Sequence, residues 1–289
     1  MIDFSIYLQT SFSFNGSLLD IDQTIAYAKK NGFSTLGLTD RFRTHGLIKF
    51  YKSCMNHKVK PLLGLEVVVK SEKYSDLICL LYAKNNQGYQ NLLKISSHIA
   101  NQHNYLELHE INQYKEGLIL VAVIDRGGFY QLIHNQEEAL LMDLLVDFEQ
   151  SIDHYYLGFG SDIFEDYPIY HQLNKDWNLV IVNPVQYLQH DDAKASEVLK
   201  KILRNDYETT GIFEEIGRPY HLQTVDELNQ IYVRYPDAIK NTRKMIDSCQ
   251  VTLKFNEQFI PSFPETDMSS IDRLKLLTDK GLRRRLIQK

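Results

Sequence analysis

Apolar residues along the chain fall into short runs separated by stretches with helical spacing. Residues 2–9 alternate between apolar and polar side chains, which predicts a strand with Tyr7 and Gln9 side by side on one face. Further apolar runs of strand length lie at 35–39, 62–69, 76–83, 117–124, 155–159 and 179–182. Helical spacing appears at 22–32, 48–56, 89–99, 137–148 and 191–203, and Asp22 is the expected N-cap of the first helix. Strands that alternate with helices in this way predict an α/β fold.

Beyond residue 220 the pattern is mainly helical. Thr224 and Glu227 have the spacing of a capping box, and Pro236 begins a helix that is expected to run to residue 249. The prolines within 261–267 predict an extended linker, because proline biases the residue before it away from the helix. An amphipathic helix is expected at 271–287.

Two carboxylates stand at the ends of consecutive apolar runs. Asp40 closes the run at 36–40 and Glu66 closes the run at 61–66. In α/β barrels the carboxyl ends of the strands gather on one face, and that face holds the chemistry. We therefore expect Asp40 and Glu66 to lie at a site.

Length, charge and cysteine content narrow the class of protein. A chain of 289 residues can form one large α/β barrel or two modest domains. A net charge of −5 argues against tight nucleic-acid binding by this segment alone. The three cysteines form no metal or disulfide motif, and no apolar run approaches the roughly 20 residues that span a bilayer. We expect a cytoplasmic protein with no membrane partner.

Several segments, in order, resemble the N-terminal region of bacterial DNA polymerase III alpha subunits of the DnaE type, which is a PHP domain (polymerase and histidinol phosphatase). The resemblance covers essentially the whole chain. Its segments are Leu36-Gly37-Leu38-Thr39-Asp40, Gly46 to Tyr51, Lys60-Pro61-Leu62-Leu63-Gly64-Leu65-Glu66, Tyr82 to Leu92, Asn183 to Leu188, Tyr235 to Thr242, Pro261 to Pro264, and Gly281-Leu282-Arg283.

The resemblance implies an α/β fold: a PHP-type distorted (β/α)7 TIM-like barrel with a C-terminal helical extension. It divides the chain into a barrel over 1–215, a helical segment packing on the barrel over 216–260, and a linker with a first helix leading into the polymerase core over 261–289.

The resemblance also implies where metal ligands would stand. The family holds up to three divalent ions, using mostly His, Asp and Glu. Asp40 and Glu66 keep the family's residue type. At the other ligand positions, this chain has Tyr7, Gln9, Arg41, Ile78, Ile124, Pro184 and Gln186. A phenol, amides, aliphatic side chains and a guanidinium are poor ligands for zinc or manganese.

We therefore predict a vestigial metal site with no metal, no cofactor and no catalytic residue in this segment. Asp40 is expected to pair with Arg41 or Arg43, or to cap the following turn, and Glu66 is expected to find a similar partner. Tyr7, Gln9 and Gln186 are expected to form a hydrogen-bonded network in which each polar atom is satisfied locally.

The other candidate ligands favour structural roles. His45, His57, His98, His103 and His109 lack a spacing that would aim two of them at one ion. In His190-Asp191-Asp192 the aspartates are expected to cap a helix. Cys79 lies within an apolar run and is expected in the core.

The parent implied by the resemblance is a DNA-directed DNA polymerase that uses Mg2+ and has its catalytic aspartates beyond residue 289. This segment would then be a structural domain that packs on the remainder of the polymerase and offers a surface to a proofreading nuclease or another replisome subunit. Arg283, Arg284 and Arg285 would contact DNA or complement the helix dipole. Alternatives are a metal-dependent 3′–5′ exonuclease or phosphoesterase with a reduced site, and a standalone binding module.

Overall fold

A computed structural model describes residues 1–14, 16–71, 73–101, 104–160, 177–204, 220–255 and 268–287. Within these ranges there are nine β-strands. They are β1 Phe4–Leu8, β2 Thr35–Leu38, β3 Lys60–Lys70, β4 Leu77–Ala83, β5 Leu106–Glu107, β6 Leu118–Val123, β7 Tyr155–Phe159, β8 Leu179–Ile181 and β9 Pro184–Val185.

Ten α-helices lie within the same described ranges. They are α1 Ile21–Lys30, α2 Leu47–His57, α3 Asn86–Asn101, α4 Ile111–Tyr114, α5 Gly127–His134, α6 Glu138–Ser151, α7 Ala193–Arg204, α8 Val225–Ile231, α9 Pro236–Ser248 and α10 Ser270–Ile287. The strands and helices predicted from periodicity are present, most of them within a few residues of the expected ends.

The strands form one curled sheet in the order β8-β7-β6-β4-β3-β2-β1-β9, with β5 attached to β3. Only Val182 and Asn183 separate β8 from β9, which lie at opposite ends of this order. Because consecutive Cα atoms are about 3.8 Å apart, the two ends of the sheet lie within roughly 11 Å of each other. The sheet therefore curls upon itself, and the predicted α/β, TIM-like fold is confirmed.

Strand β4 departs from the all-parallel arrangement of a simple (β/α) barrel. It pairs antiparallel with both β3 and β6, whereas the other pairings are parallel. Only residues 71–76 connect β3 to β4, and a parallel crossover needs a dozen residues or more. The short connection therefore reverses the chain direction.

An irregularity in β1 is used to pack the barrel interior. Ser5 pairs with Leu36 and Leu8 with Leu38, so β1 carries one extra residue between these pairs. Within this bulge the carbonyl of Ile6 accepts a hydrogen bond of 2.7 Å from the hydroxyl of the fully buried Tyr82 on β4.

Two glycines keep the path of the Tyr82 side chain open. A Cβ on Gly64 would lie 2.9 Å from the Tyr82 ring, and a Cβ on Gly37 would lie 2.5 Å from the Ile6 carbonyl oxygen. Both distances are shorter than real Cβ contacts, so a larger residue at either position would displace strand β1 or the Tyr82 ring.

Helix α9 packs against the edge of β8 that is not paired with β7. The backbone N–H of Ile181 donates to the hydroxyl of Thr242 at 2.9 Å, and that hydroxyl donates in turn to the Ala238 carbonyl at 2.7 Å. Thr242 is fully buried. A side chain of α9 thus satisfies a strand edge that would otherwise present an unpaired N–H.

The chain divides into two compact units, Met1–Thr252 and Leu253–Lys289. The first contains the barrel with α8 and α9, and the second contains α10, whose side chains are exposed or half-buried. The division at residues 215 and 260 that the resemblance implies stays a prediction, and the predicted linker at 261–267 lies outside the described residues.

One predicted helix cap was wrong and another is confirmed. Asp20, not Asp22, is the N-cap of α1: its backbone is extended and its carboxylate accepts from the Gln23 N–H at 3.0 Å. Asp22 lies within the first turn, where an acid favours the helix dipole without capping. The capping box of Thr224 and Glu227 is present.

We expect Thr242→Val to lower the free energy of unfolding by about 1–3 kcal/mol, because it leaves the Ile181 N–H buried without an acceptor. Thr242→Ser keeps the hydroxyl and loses one methyl group, so its loss is expected to be about 1 kcal/mol or less. Urea unfolding of both variants measures the difference. Equal stability of the two variants would show that the hydroxyl has no role at this edge.

Candidate functional site

Tyr7, Gln9 and Glu66 meet beside the carboxyl ends of β1 and β2, in a region here termed the barrel mouth. Tyr7 lies near the end of β1, Gln9 is the residue directly after this strand, and Glu66 lies on β3. The Tyr7 hydroxyl donates to Oε2 of Glu66 at 2.5 Å, and the Gln9 amide donates to the same oxygen. All three side chains are buried. Tyr7 and Gln9 thus share one face of β1, as their spacing predicts.

Gln186 extends this network to the segment after β9. Its Nε2 donates to Oε1 of Gln9 at 2.9 Å. The Glu66 carboxylate fixes both amide orientations, because it can only accept from Gln9. Among the described residues, Oε1 of Gln186 is buried and has no hydrogen-bond partner. The predicted network is present, but the expectation that each of its polar atoms is satisfied locally was wrong at this atom.

Arg41 faces the other oxygen of Glu66, with its Nε 3.6 Å from Oε1. The backbone holds it there, since Glu66 N–H donates to the Asp40 carbonyl at 3.2 Å and Phe42 N–H donates to the Glu66 carbonyl at 2.9 Å. Phe42 adopts a left-handed conformation with φ of 61°, which is rare for a bulky residue. A hydrogen bond from Ser96 to its carbonyl further secures this turn.

Asp40 has hydrogen-bonding partners from the loop after β1. It accepts from the Thr10 N–H at 2.6 Å, from the Thr10 hydroxyl at 2.8 Å and from the Ser13 hydroxyl at 2.7 Å. The predicted pairing of Asp40 with Arg41 or Arg43 was therefore wrong, because the strand register directs Arg41 to Glu66 and Thr10 and Ser13 surround Asp40.

Burial dominates the electrostatics of these acids. It raises the pKa of Glu66, although the charges of Arg41 and Arg126 and the Tyr7 hydrogen bond partly oppose the shift. It also raises the pKa of Asp40, against the hydrogen bonds from Ser13 and Thr10. Burial and then the Glu66 charge hold the pKa of Tyr7 well above its ordinary value. Tyr7 is thus a protonated donor at neutral pH.

Asp125 and Arg126, which follow β6 at the same face, were not predicted from the sequence. Asp125 accepts from the Gly160 N–H at 3.1 Å, and its Oδ1 lies 3.7 Å from Nε of Arg126. The Arg126 guanidinium lies 5.7 Å from the Tyr7 ring centre and 5.6 Å from that of Tyr220. An Asp-Arg pair directly after an apolar run, as in Asp40-Arg41, was the signal that would have found them.

The remaining positions that the resemblance assigns to metal ligands are apolar and buried. Ile78 lies on β4 opposite Val68, Ile124 follows β6, and Pro184 pairs with Tyr7 across β1 and β9. These side chains contribute packing to the mouth and supply no metal ligand.

The mouth does not fit the divalent cluster that the PHP resemblance implies. No group of three or more His, Cys, Asp or Glu that could hold a metal occurs among the described residues. Both oxygens of Glu66 face donors of the chain itself, and the oxygens of Asp40 accept from Thr10 and Ser13. A metal ion would have to displace these donors.

Other candidate residues take structural roles where the structure describes them. His57 contacts the Ser53 carbonyl, His98 pairs with Glu110, His45 and His109 are exposed, and His103 lies outside the described residues. The N-cap of the short helix His190–Asp192 is Gln189, and Asp192 takes the third position of the capping box, where it accepts from the Gln189 N–H at 3.0 Å. Cys79 is fully buried, as predicted. In the part of the chain that the structure describes, no helix is long and apolar enough to cross a membrane.

A curled α/β barrel with acids at the carboxyl ends of its strands is the architecture of the PHP family, and the family model for the PHP domain matches residues 6–163. The chain belongs to the PHP domain family.

Its curated relatives include DNA polymerase III subunit alpha of Halalkalibacterium halodurans, with 30% identity over 97% of this chain and 26% of that protein. The subunit of Haemophilus influenzae is 27% identical over 96% of this chain and 25% of that protein. The matched part is the N-terminal region of these subunits, so the chain spans about a quarter of the length of the relatives.

Among solved structures, a Bifidobacterium adolescentis protein assigned as a metal-dependent phosphoesterase overlaps 80% of this chain and 96% of its own, at 13% identity and a TM-score of 0.42. An overlap at this score carries no inference about function.

We expect Glu66→Gln to remove a pH-dependent cost of folding. Because the pKa of Glu66 is raised, its favourable contribution is complete below the ordinary value of 4.5 and is lost as pH rises through the raised pKa. The wild type should therefore lose stability relative to Glu66→Gln as pH rises from about 4.5 to 8. The loss should be about 1.4 kcal/mol for each pH unit by which the pKa of Glu66 in the folded protein exceeds its ordinary value.

Thermal unfolding of both proteins across this pH range measures the difference. Glu116→Gln, at an exposed position, is the matched control and should follow the wild type. An identical pH dependence for Glu66→Gln and the wild type would contradict the raised pKa of Glu66.

Proposed function

We propose that the chain is a non-catalytic structural PHP domain of a replicative DNA polymerase III alpha subunit. The observation that carries this proposal is the engagement of Glu66, whose oxygens face Tyr7, Gln9 and Arg41. Relatives that match nearly all of this chain over their N-terminal quarter support the parentage.

The chemistry of the mouth favours a scaffold over a hydrolase. Hydrolysis of a phosphodiester by a metal-dependent enzyme needs a bound cation to generate hydroxide near neutral pH. Here the two family carboxylates are already hydrogen-bonded, and Tyr7 stays protonated because its pKa is raised. Neither Tyr7 nor Gln9 can serve as a base, and Arg41 brings a positive charge to the position where a cation would bind.

The activity of the whole protein follows from the same proposal. The parent would be a DNA-directed DNA polymerase whose Mg2+ and catalytic aspartates belong to its polymerase core and not to this segment. Arg283, Arg284 and Arg285, exposed on α10, would then contact DNA or complement the helix dipole. The barrel would pack on the remainder of the polymerase and offer its outer surface to a proofreading nuclease or another replisome subunit.

Metal analysis and a nuclease assay test the loss of catalysis. After incubation with manganese, zinc and iron salts and dialysis, we expect the 289-residue chain to retain far less than one equivalent of any metal. We also expect no EDTA-sensitive cleavage of single-stranded DNA. Stoichiometric metal together with EDTA-sensitive cleavage would replace this proposal with the phosphoesterase alternative.

A structural role also predicts how a fold defect acts in the complete polymerase. Thr242→Val, which lies outside the mouth, should lower the temperature at which primer extension is lost, because the barrel unfolds earlier. At a permissive temperature the turnover of primer extension should equal that of the wild type. Thr242→Ser is the matched control. Unchanged heat resistance in a polymerase with a destabilised barrel would argue against the bracing role.

A further inference from the structure

Two Asp-Arg pairs stand at equivalent places in the barrel. Asp40-Arg41 follows β2 and Asp125-Arg126 follows β6. The Arg41 guanidinium faces Glu66 at 3.6 Å, and that of Arg126 faces Asp125 at 3.7 Å.

These ion pairs are buried far more than surface pairs of the same molecule. The side chains of Glu66 and Asp125 are 4% and 2% exposed, and those of Arg41 and Arg126 are 19% and 10% exposed. An ionised carboxylate at such depth is tolerated only with an opposite charge and further hydrogen bonds. Each acid has both, since Tyr7 and Gln9 donate to Glu66, and Gly160 donates to Asp125.

We propose that Arg41 and Arg126 are built-in counter-cations of the barrel mouth, which neutralise Glu66 and Asp125 in place of a bound metal ion. This inference rests on the proposed function in one respect, namely that the mouth holds no catalytic metal. A guanidinium suits the task because its charge is permanent and its planar fork can satisfy carboxylates and stack on aromatic rings.

The surroundings of both arginines fit this role. The left-handed Phe42 and the backbone bridge between residues 41 and 66 aim Arg41 at Glu66. Arg126 lies against the rings of Tyr7 and Tyr220, and its charge acts on Glu66 as well as on Asp125. On Tyr220, the Lys200 ammonium lies 4.6 Å from the ring centre. Arg126 therefore connects the two acids and the two aromatic rings.

A charge-balance experiment tests the inference. We expect Arg126→Met and Arg41→Met each to raise the unfolding equilibrium constant by roughly a hundredfold or more, because each removes the guanidinium that faces a buried carboxylate. Neutralising the facing acid should lower the unfolding equilibrium constant again by at least about tenfold. The two variants that test this are Arg126→Met with Asp125→Asn and Arg41→Met with Glu66→Gln. Magnesium in excess should raise the thermal midpoint of the Arg41→Met, Arg126→Met double variant and leave the wild type unchanged.

The matched control is Arg243, which pairs with Asp3 at 2.6 Å with side chains 43% and 27% exposed. Arg243→Met should change the unfolding constant by only a few-fold, and Asp3→Asn should bring no recovery. If a single arginine variant fails to fold but its neutralised partner folds, the inference is supported. If neither neutralisation nor magnesium restores stability, the inference is overturned.

Failure of this inference and failure of the proposed function give different results. Stoichiometric metal in the wild-type chain would contradict the proposed function whatever the arginine variants do. A metal-free wild type whose neutralised double variants are as unstable as the single variants would contradict the counter-cation role alone.

Discussion

The hydrogen bonds that Tyr7 and Gln9 donate to a single oxygen of Glu66 determine the arrangement of the whole barrel mouth. A buried carboxylate must be matched by donors or an opposite charge, and here the first strand supplies the donors. Because the side-chain NH2 of Gln9 donates to Glu66, the side-chain carbonyl of Gln9 faces the Gln186 amide. This contact orients the segment after β9. One acid on β3 thereby orders the ends of three strands.

The bulge in β1 couples this polar network to the packing beneath it. The extra residue frees the Ile6 carbonyl for the Tyr82 hydroxyl, and the same irregular stretch presents Tyr7 to Glu66. Both interactions depend on the same backbone distortion. A change at Gly37, which has no space for a side chain beside Ile6, would therefore disturb the interior and the mouth together.

Local patterns predicted most of this fold and part of its site. Strands and helices followed from periodicity, and the shared face of Tyr7 and Gln9 from their spacing, because these properties depend on near neighbours. The pairing of Arg41 could not be predicted, since the choice between two acids depends on strand register and on the left-handed turn at Phe42. The cap at Asp20 was missed because two nearby aspartates suit the same helix start.

Membership of the PHP family fixes the scaffold without fixing its chemistry, because function resides in side chains that a fold carries. Two contacts within the sheet, the Tyr82 hydroxyl with the Ile6 carbonyl and the Ile181 N–H with the Thr242 hydroxyl, use no side chain from the positions that the resemblance assigns to metal ligands. These two contacts can therefore form whatever side chains line the mouth. If the guanidinium groups of Arg41 and Arg126 supply the positive charge at the barrel mouth, the stability of the mouth does not depend on the concentration of a free cation. That independence suits the proposed role of supporting a larger polymerase, and it would be a defect in a metal-dependent hydrolase.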